Sequence, residues 1–188
     1  MKKHGASTGD ECMKGITGAG DGLVIQICEP VLSDLDEKPS KIYINRKGFF
    51  ALLVQAFCGA YTRFWYFNVG WPGATNDITA YKQTELYRMS TANQIPDFVS
   101  YVLDEAYSSC RGQHLTPFSS SQLRKAQYPS AHPDLYFKMR TFNHTLSSQR
   151  ITIERAFGQL FRRWGILWCS IASLPDAATP SAREVDRN

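Results

Sequence analysis

Four carboxylates of this chain stand inside or directly beside apolar segments and lie far apart in the sequence. They are Asp21 in GAGDGL, Asp77 in GATND, Asp104 in YVLDEAY and Glu154 in RITIERAF. Oxygen ligands of this kind suit hard divalent cations such as Mg²⁺. Two such ions can activate the attacking oxygen and stabilise the leaving oxygen of a phosphodiester reaction. If the four side chains converge in the fold, they predict a metal-dependent reaction on phosphate.

Glu154 is the one acidic residue of the last predicted helix, which spans about Ser147 to Trp168. At about 100° per residue, one face of this helix is apolar and the opposite face is polar and basic. Glu154 falls at the rim of the apolar face, beside Phe161, rather than in the middle of the polar face. A surface ion pair with Arg150, one turn earlier, is the competing interpretation. The predicted apolar face consists of Ile153, Ala156, Phe157, Leu160, Phe161, Trp164, Leu167 and Trp168.

Each aspartate, taken alone, also has a purely structural interpretation. Asp104 follows the apolar run FVSYVL, so it either carries function at the end of a buried strand or caps a turn or helix after that strand. Asp77 could cap a helix that begins at Ile78. Asp21 could be a turn residue between permissive glycines. Only the set of carboxylates, and no single member, points to a metal site.

The elements that must position these residues predict a layered α/β (α+β) architecture. The stretch from Gly15 to Cys28 predicts a buried strand through Asp21, and the runs FFALLVQAF and YTRFWYFNVG predict a hairpin. ITAYKQTELYRMS predicts a helix directly after Asp77, and IPDFVSYVLDEAY holds a short strand. Residues 111–140 are polar and contain prolines, which predicts a loop-rich insertion before the last helix. We expect one domain over residues 15–172, with disordered tails at 1–14 and 173–188.

Composition limits the classes of protein that the chain can represent. A chain of 188 residues that is 43% hydrophobic can bury a core, so disorder of the whole chain is excluded. The net charge of +4 permits a polyanionic partner. No apolar run reaches the length of a membrane span, and the first residues lack the apolar core of a secretory signal. The five scattered cysteines form no C-x-x-C pair, which favours reduced thiols in an intracellular protein over a zinc site or a disulfide framework.

Four blocks of the chain, from about Gly15 to Ile171, are similar to a known family. The blocks are GAGDGLVIQI, YINRKGFFALLVQAFCGAYTRFWYFNVGWPGATND, YVLDEAY and FNHTLSSQRITIERAFGQLFRRW, each of which contains one of the four carboxylates. In order and spacing they resemble the DDE superfamily endonuclease domain of Harbinger-type (PIF/Harbinger) transposases and their domesticated nuclease relatives. This resemblance implies an RNase H-like fold, a mixed sheet flanked by helices.

The resemblance also implies roles for these residues. Asp21, Asp104 and Glu154 become the catalytic carboxylates, and Asp21, Asp77, Asp104 and Glu154 become the ligands of Mg²⁺ or Mn²⁺. The implied function is a divalent-metal-dependent, transposase-type DNA endonuclease that hydrolyses or transfers phosphodiesters in the nucleus. DNA is the implied partner, a separate DNA-binding protein could supply specificity, and an oligomer is compatible with the pattern.

Several positions depart from the family pattern. Gly20, Asn76 and Gly59 stand where the family often has an apolar residue, a histidine and an aspartate, respectively. The short stretch before Asp21 also suggests a truncated or domesticated copy. The alternative function is therefore a catalytically degenerate nuclear binding module, with a general phosphoesterase as a third possibility. Arg155, Arg162 and Arg163 either contact DNA phosphates or form a solvated face of the last helix.

Overall fold

A computed structural model describes residues 15–30, 39–127 and 134–171. Within these residues, one mixed five-stranded sheet carries helices on both faces, which confirms the predicted α+β architecture of a mixed sheet with flanking helices. The predicted tails at 1–14 and 173–188 lie outside the described residues. None of the helices in the described part of the chain is long and apolar enough to cross a membrane.

The sheet is built around its first strand. Its order is β3-β2-β1-β4-β5, in which β2 and β3 run antiparallel to their neighbours and β4 and β5 run parallel to β1. The predicted hairpin is therefore present as β2 and β3. The strands are β1 (Ile16–Gln26), β2 (Ala51–Cys58), β3 (Phe64–Pro72), β4 (Ser100–Val102) and β5 (His114–Leu115).

Two cores form because alternate residues of a strand point to opposite faces of the sheet. Ala19, Val54 and Val102 pack against the last helix on one face. Phe57, Tyr101 and Leu103 pack with the first two helices on the other. The helices are α1 (Asp77–Lys82), α2 (Glu85–Thr91), α3 (Ser120–Ala126) and α4 (Leu135–Arg163).

The predicted helix over ITAYKQTELYRMS is two helices in the structure. α1 ends at Lys82, and α2 begins after Thr84, whose hydroxyl accepts a hydrogen bond from the Tyr87 amide at 3.1 Å. A threonine side chain that binds this amide caps a new helix and replaces one of the missing backbone hydrogen bonds. The break therefore has a local cause that helical periodicity does not reveal.

The last helix differs from the prediction at both ends. α4 begins at Leu135 and ends at Arg163, after which Gly165–Trp168 forms a separate 3-10 turn. Because the α-helical rotation ends at Arg163, the apolar face predicted for the helix does not continue through residues 164–168. Ile153 and Ala156 are buried as predicted, but Trp164 and Trp168 are 58% and 71% exposed.

The predicted loop-rich insertion over residues 111–140 also holds regular structure. It contains β5, α3 and the first turn of α4. α3 begins with a capping box, in which the Ser119 hydroxyl and the Gln122 side chain each bind the other residue's backbone amide. The serine and glutamine three residues apart are the sequence signal for this helix start.

Candidate active site

Strand register places Asp21 and Asp104 side by side. Ala19 of β1 lies opposite Val102 of the parallel strand β4, and each aspartate comes two residues later. Since side chains two residues apart point to the same face of a strand, both carboxylates lie on the face covered by α4. Asp21 and Asp104 are 83 positions apart in sequence. They lie side by side because each follows, by two residues, a pair of residues that face each other in the parallel strands β1 and β4.

Asp104 begins the 3-10 turn Glu105–Ser109 directly after β4. Its Oδ1 accepts a hydrogen bond from the Glu105 amide at 2.6 Å. The two interpretations of this residue are therefore compatible, because the carboxylate caps the turn and still faces α4. Capping fixes the backbone at the strand end and leaves 43% of the side chain exposed.

The Asp21 carboxylate is more enclosed. Burial raises its pKa to about 6, against the lowering effects of a backbone hydrogen bond from Gly22 and of the Arg150 charge. The negative charges of Asp104 and Asp77 raise the pKa further. A cation that replaced the water lost on burial would restore the charged form of this carboxylate.

Arg150 of α4 lies among three of the four predicted ligands. Its Nη1 is 3.2 Å from Asp104 Oδ1, and its Nη2 is 3.9 Å from Asp21 Oδ2 and 3.8 Å from Glu154 Oε1. The predicted pair between Arg150 and Glu154 therefore exists, but it is one part of a larger arrangement. The structure brings Asp21, Asp104 and Glu154 together around a single guanidinium.

Glu154 reaches this arrangement from the rim of the α4 core. Its neighbour Ile153 is fully buried, whereas the Glu154 side chain is 60% exposed. The helical pattern predicted Glu154 at the rim of the apolar face, and the structure places it next to the buried Ile153 with most of its side chain in contact with solvent. The packing of α4 on the sheet thus fixes where the Glu154 carboxylate meets Asp21 in the middle of β1 and Asp104 after the end of β4.

Asp77 approaches β1 from the other side. A side chain added at Gly22 would meet Asp77 Oδ1 at 2.3 Å, so this carboxylate lies against the position where Gly22 has no Cβ. Asn76, and not Asp77, caps α1 through a 2.8 Å hydrogen bond from the Ile78 amide. Burial raises the pKa of Asp77, the Arg46 charge lowers it and the Asp104 charge raises it.

Two buried polar residues support Asp77. The Gln55 amide donates to the Asp77 carbonyl at 3.5 Å, and the Tyr107 hydroxyl donates to Gln55 Oε1 at 3.2 Å. Burial, followed by the charges of Asp77 and Asp21, raises the pKa of Tyr107, so it stays a neutral hydrogen-bond donor. These contacts hold the backbone of Asp77 against the buried interior of the fold.

Sequence reasoning did not identify Gly22, Gln55 or Tyr107 as parts of the site. The sequence did contain a signal for Gly22, since a glycine inside a strand often marks a position that another group approaches closely. Gly22 directly follows the predicted catalytic residue Asp21. Gln55 was a polar residue inside the apolar run FFALLVQAF, and a buried polar side chain requires a partner. Tyr107 resembled a core aromatic and gave no separate signal.

The departure at Gly20 has a packing explanation. A Cβ at this position would lie 2.2 Å from the Phe57 ring. The ring of Phe57 thus fills the space that an apolar side chain at residue 20 would occupy. Phe57 therefore supplies the apolar packing that a side chain at residue 20 would otherwise provide.

A divalent cation in a protein is held by several oxygen ligands that surround one point. Among residues 15–30, 39–127 and 134–171, no group of three or more His, Cys, Asp or Glu side chains is close enough to hold a metal ion. All three acids nevertheless direct oxygen atoms toward one positively charged group, at 3.2 to 3.9 Å. The donor chemistry and the direction of the charges therefore fit a hard cation.

The three arginines predicted either to contact DNA phosphates or to form a solvated face lie on the surface of α4. Arg155, Arg162 and Arg163 are all exposed. The exposed arginines remain available to a polyanion.

Comparison with protein families gives one match, which covers most of the chain. The model described as DDE superfamily endonuclease matches residues 21–182. No curated protein and no solved structure matches the chain. The family match begins at Asp21 and includes all four predicted carboxylates. By this match, and with a fold of the expected kind, the chain belongs to the DDE superfamily of endonucleases.

Proposed function

We propose that this chain is a divalent-metal-dependent DNA endonuclease of the transposase type, with an RNase H-like fold and a Harbinger-type ancestry. The observation that carries the proposal is the convergence of Asp21, Asp104 and Glu154 on one positive charge. Three carboxylates held this close together repel one another unless a cation balances their charge. The family match supports the same reaction class.

In this proposal, Asp21, Asp104 and Glu154 hold Mg²⁺ or Mn²⁺ and are the catalytic carboxylates. A bound cation would supply activation of the attacking oxygen and stabilisation of the leaving oxygen. Asp104 orients its oxygens through the cap on Glu105, and Asp21 through its bond from Gly22. Glu154 is the most exposed of the three acids.

Asp77 completes the proposed ligand set. It already shares the electrostatic environment of the other acids, since its charge raises the pKa of Asp21. Its carboxylate lies at the Gly22 side of β1, where Gln55 and Tyr107 hold the surrounding backbone. We propose that Asp77 joins the ligands of the cation from the Gly22 side of β1, where the absence of a side chain at residue 22 leaves room for its carboxylate.

DNA is the proposed substrate, and the nucleus is the proposed location. Arg155, Arg162 and Arg163 are exposed on the helix that carries Glu154, and positive side chains beside a nuclease site hold the phosphate backbone. Phosphate contacts of this kind are independent of sequence. A separate DNA-binding protein is therefore the proposed source of sequence specificity.

One observation favours a second function. Arg150 occupies the centre of the carboxylates, and a permanent internal cation would leave no place for a metal. The fold would then serve as a catalytically degenerate binding module. The two functions differ in whether added Mn²⁺ stabilises the protein, because a ligand of the folded state raises its melting temperature.

The proposed activity is tested by nicking of supercoiled plasmid in Mn²⁺, with wild-type protein and the variants Asp104→Ala and Glu154→Ala. We expect nicking by the wild type only, and none after addition of a chelator. Equal activity in all three proteins, or activity that survives the chelator, would contradict the proposal. Hydrolysis of p-nitrophenyl phosphate without nicking of DNA would instead indicate a general phosphoesterase.

A further inference from the structure

Arg150 contacts three acids at once. Its guanidinium has carboxylate oxygens of three acids within 3.9 Å, and these acids come from β1, from the end of β4 and from α4 itself. Its side chain is only 21% exposed. The positive charge therefore lies inside the group of acids and not on its outer surface.

These contacts are loose. Only the contact to Asp104, at 3.2 Å, is a hydrogen bond, and the contacts to Asp21 and Glu154 are longer ion pairs. An arginine that serves as a permanent structural anchor commonly makes paired, parallel hydrogen bonds to one carboxylate. The Arg150 Nε is buried and has no hydrogen-bond partner among the described residues. Few directional bonds hold this side chain in place.

The charge balance of the group is incomplete. Asp21, Asp104 and Glu154 contribute three carboxylates, and Arg150 contributes one guanidinium. Asp77 lies close enough for its charge to raise the pKa of Asp21. A divalent cation would balance more of this charge than one guanidinium does, and it would use the same oxygens. A guanidinium and a metal ion at the same oxygens would repel each other.

We propose that Arg150 is a positioning residue that keeps Asp21, Asp104 and Glu154 together before metal binds, and that its guanidinium is displaced when a divalent cation takes those oxygens. The inference rests on the proposed function, because it assigns a cation to the same carboxylates. It adds that the site exchanges an internal cation for an external one. Metal affinity is therefore set by competition with Arg150.

Arg150→Gln tests this competition, because glutamine keeps a polar, hydrogen-bonding side chain and removes the charge. We expect Arg150→Gln to bind Mn²⁺ roughly five- to tenfold more tightly than the wild type, the scale of one partly exposed charge pair. Binding is measured from the paramagnetic resonance signal of free Mn²⁺ during a titration. Arg140→Gln is the matched control, since Arg140 is an exposed residue of the same helix that lies over the Tyr136 ring, and its Mn²⁺ affinity should equal that of the wild type.

A second measurement separates positioning from general packing. In chelator, Arg150→Gln should melt below the wild type, because the acids then repel each other without a counter-charge, and saturating Mn²⁺ should remove most of that difference. Arg150→Lys keeps one charge but cannot reach three carboxylates at once, so its Mn²⁺ affinity should lie between those of the other two proteins. If Arg150→Gln does not fold, the Mn²⁺ affinity of Arg150→Lys relative to the wild type tests the inference, and it should be higher than that of the wild type.

The outcomes separate the inference from the proposed function. Plasmid nicking by the wild type, together with equal or weaker Mn²⁺ binding by the folded Arg150 variants, overturns the inference and leaves the nuclease in place. Absence of Mn²⁺ binding and of nicking in every protein overturns both. Tighter Mn²⁺ binding in Arg150→Gln, with the Arg140 control unchanged, supports the exchange of cations even if the wild type nicks DNA slowly.

Discussion

At the scale of single residues, the site depends on Asp21, whose pKa is raised by burial, and on Gly22, whose missing side chain leaves space for Asp77. Asp21 is enclosed between the sheet and α4, and burial raises its pKa to about 6. Gly22, the next residue, leaves the space against which Asp77 packs. Asp21 thus points to the face of the sheet covered by α4, and the adjacent Gly22 accommodates Asp77 on the opposite face.

The raised pKa of Asp21 predicts a dependence of stability on pH. Its folded-state pKa of about 6 exceeds the ordinary aspartate value of 3.8, so the folded protein binds this proton more tightly than the unfolded chain does. The free energy of unfolding should therefore fall as pH rises from about 4 to about 6, by up to roughly 2 to 3 kcal/mol. Asp21→Asn should lack this contribution and gain stability relative to the wild type over that range.

Urea unfolding at a series of pH values, in chelator, measures this difference. Comparison of the two proteins cancels the titration of the other acids. A constant stability difference between Asp21→Asn and the wild type from pH 4 to pH 7 would contradict the raised pKa. Measurement in chelator is essential, since a bound cation would lower the pKa of its ligand.

Gly22→Ala should impair activity more than it impairs stability. The added methyl would meet Asp77 Oδ1 at 2.3 Å, so the carboxylate must move away from β1. We expect a loss of nicking activity of at least about tenfold, because displacement of an active-site group by an ångström can have effects of that order and larger. Gly158→Ala is the matched control, as its methyl would enter open space on α4 and alanine favours a helix. Wild-type activity in Gly22→Ala would show that Asp77 does not contribute from this position.

At the scale of elements, α4 connects the hydrophobic core to the chemistry. Its buried residues Leu146, Ile153 and Ala156 pack on the sheet, and Arg150 and Glu154 emerge between and beside them. Helical periodicity predicted the buried positions near Glu154 correctly. It did not predict where the helix begins or ends, because those limits depend on the backbone around Asp134 and Trp164 rather than on the apolar pattern.

A matched pair of isoleucines tests how strongly this core holds α4. Ile153 is fully buried, whereas Ile151 is 40% exposed on the same helix. Ile153→Ala should lower the free energy of unfolding by about 2 to 4 kcal/mol, since it removes buried methyl groups and leaves a cavity. Ile151→Ala should change it by less than about 1 kcal/mol. Chemical unfolding of both variants measures this contrast, and similar losses would contradict the described orientation of α4.

At the scale of the whole molecule, the sheet order explains how distant acids meet. β1 is central and has β4 as its parallel neighbour, so Asp21 in the middle of β1 lies beside Asp104 directly after the end of β4. α4 then crosses these two positions with Arg150 and Glu154. The architecture and the four candidate acids could be predicted from the sequence because family blocks and apolar runs surround each one.

Other features could not be predicted because they depend on contacts between distant elements. The central position of Arg150 follows from the strand register and the packing of α4 together, although its pair with Glu154 was evident from spacing alone. The approach of Asp77 from the Gly22 side depends on where α1 packs against the sheet. The burial of Gln55 depends on the same packing.

The most direct test of the central claim is the rate of plasmid nicking in Mn²⁺ by Glu154→Gln relative to Glu105→Gln. Both variants neutralise an exposed glutamate, but Glu154 faces Arg150, whereas Glu105 lies in the 3-10 turn after Asp104. We predict that Glu154→Gln loses nicking by at least about a hundredfold, as expected for removal of a group that acts in the transition state. Glu105→Gln should retain nearly all of it. Equal rates for the two variants would contradict the assignment of Asp21, Asp104 and Glu154 as the metal-binding, DNA-cleaving carboxylates.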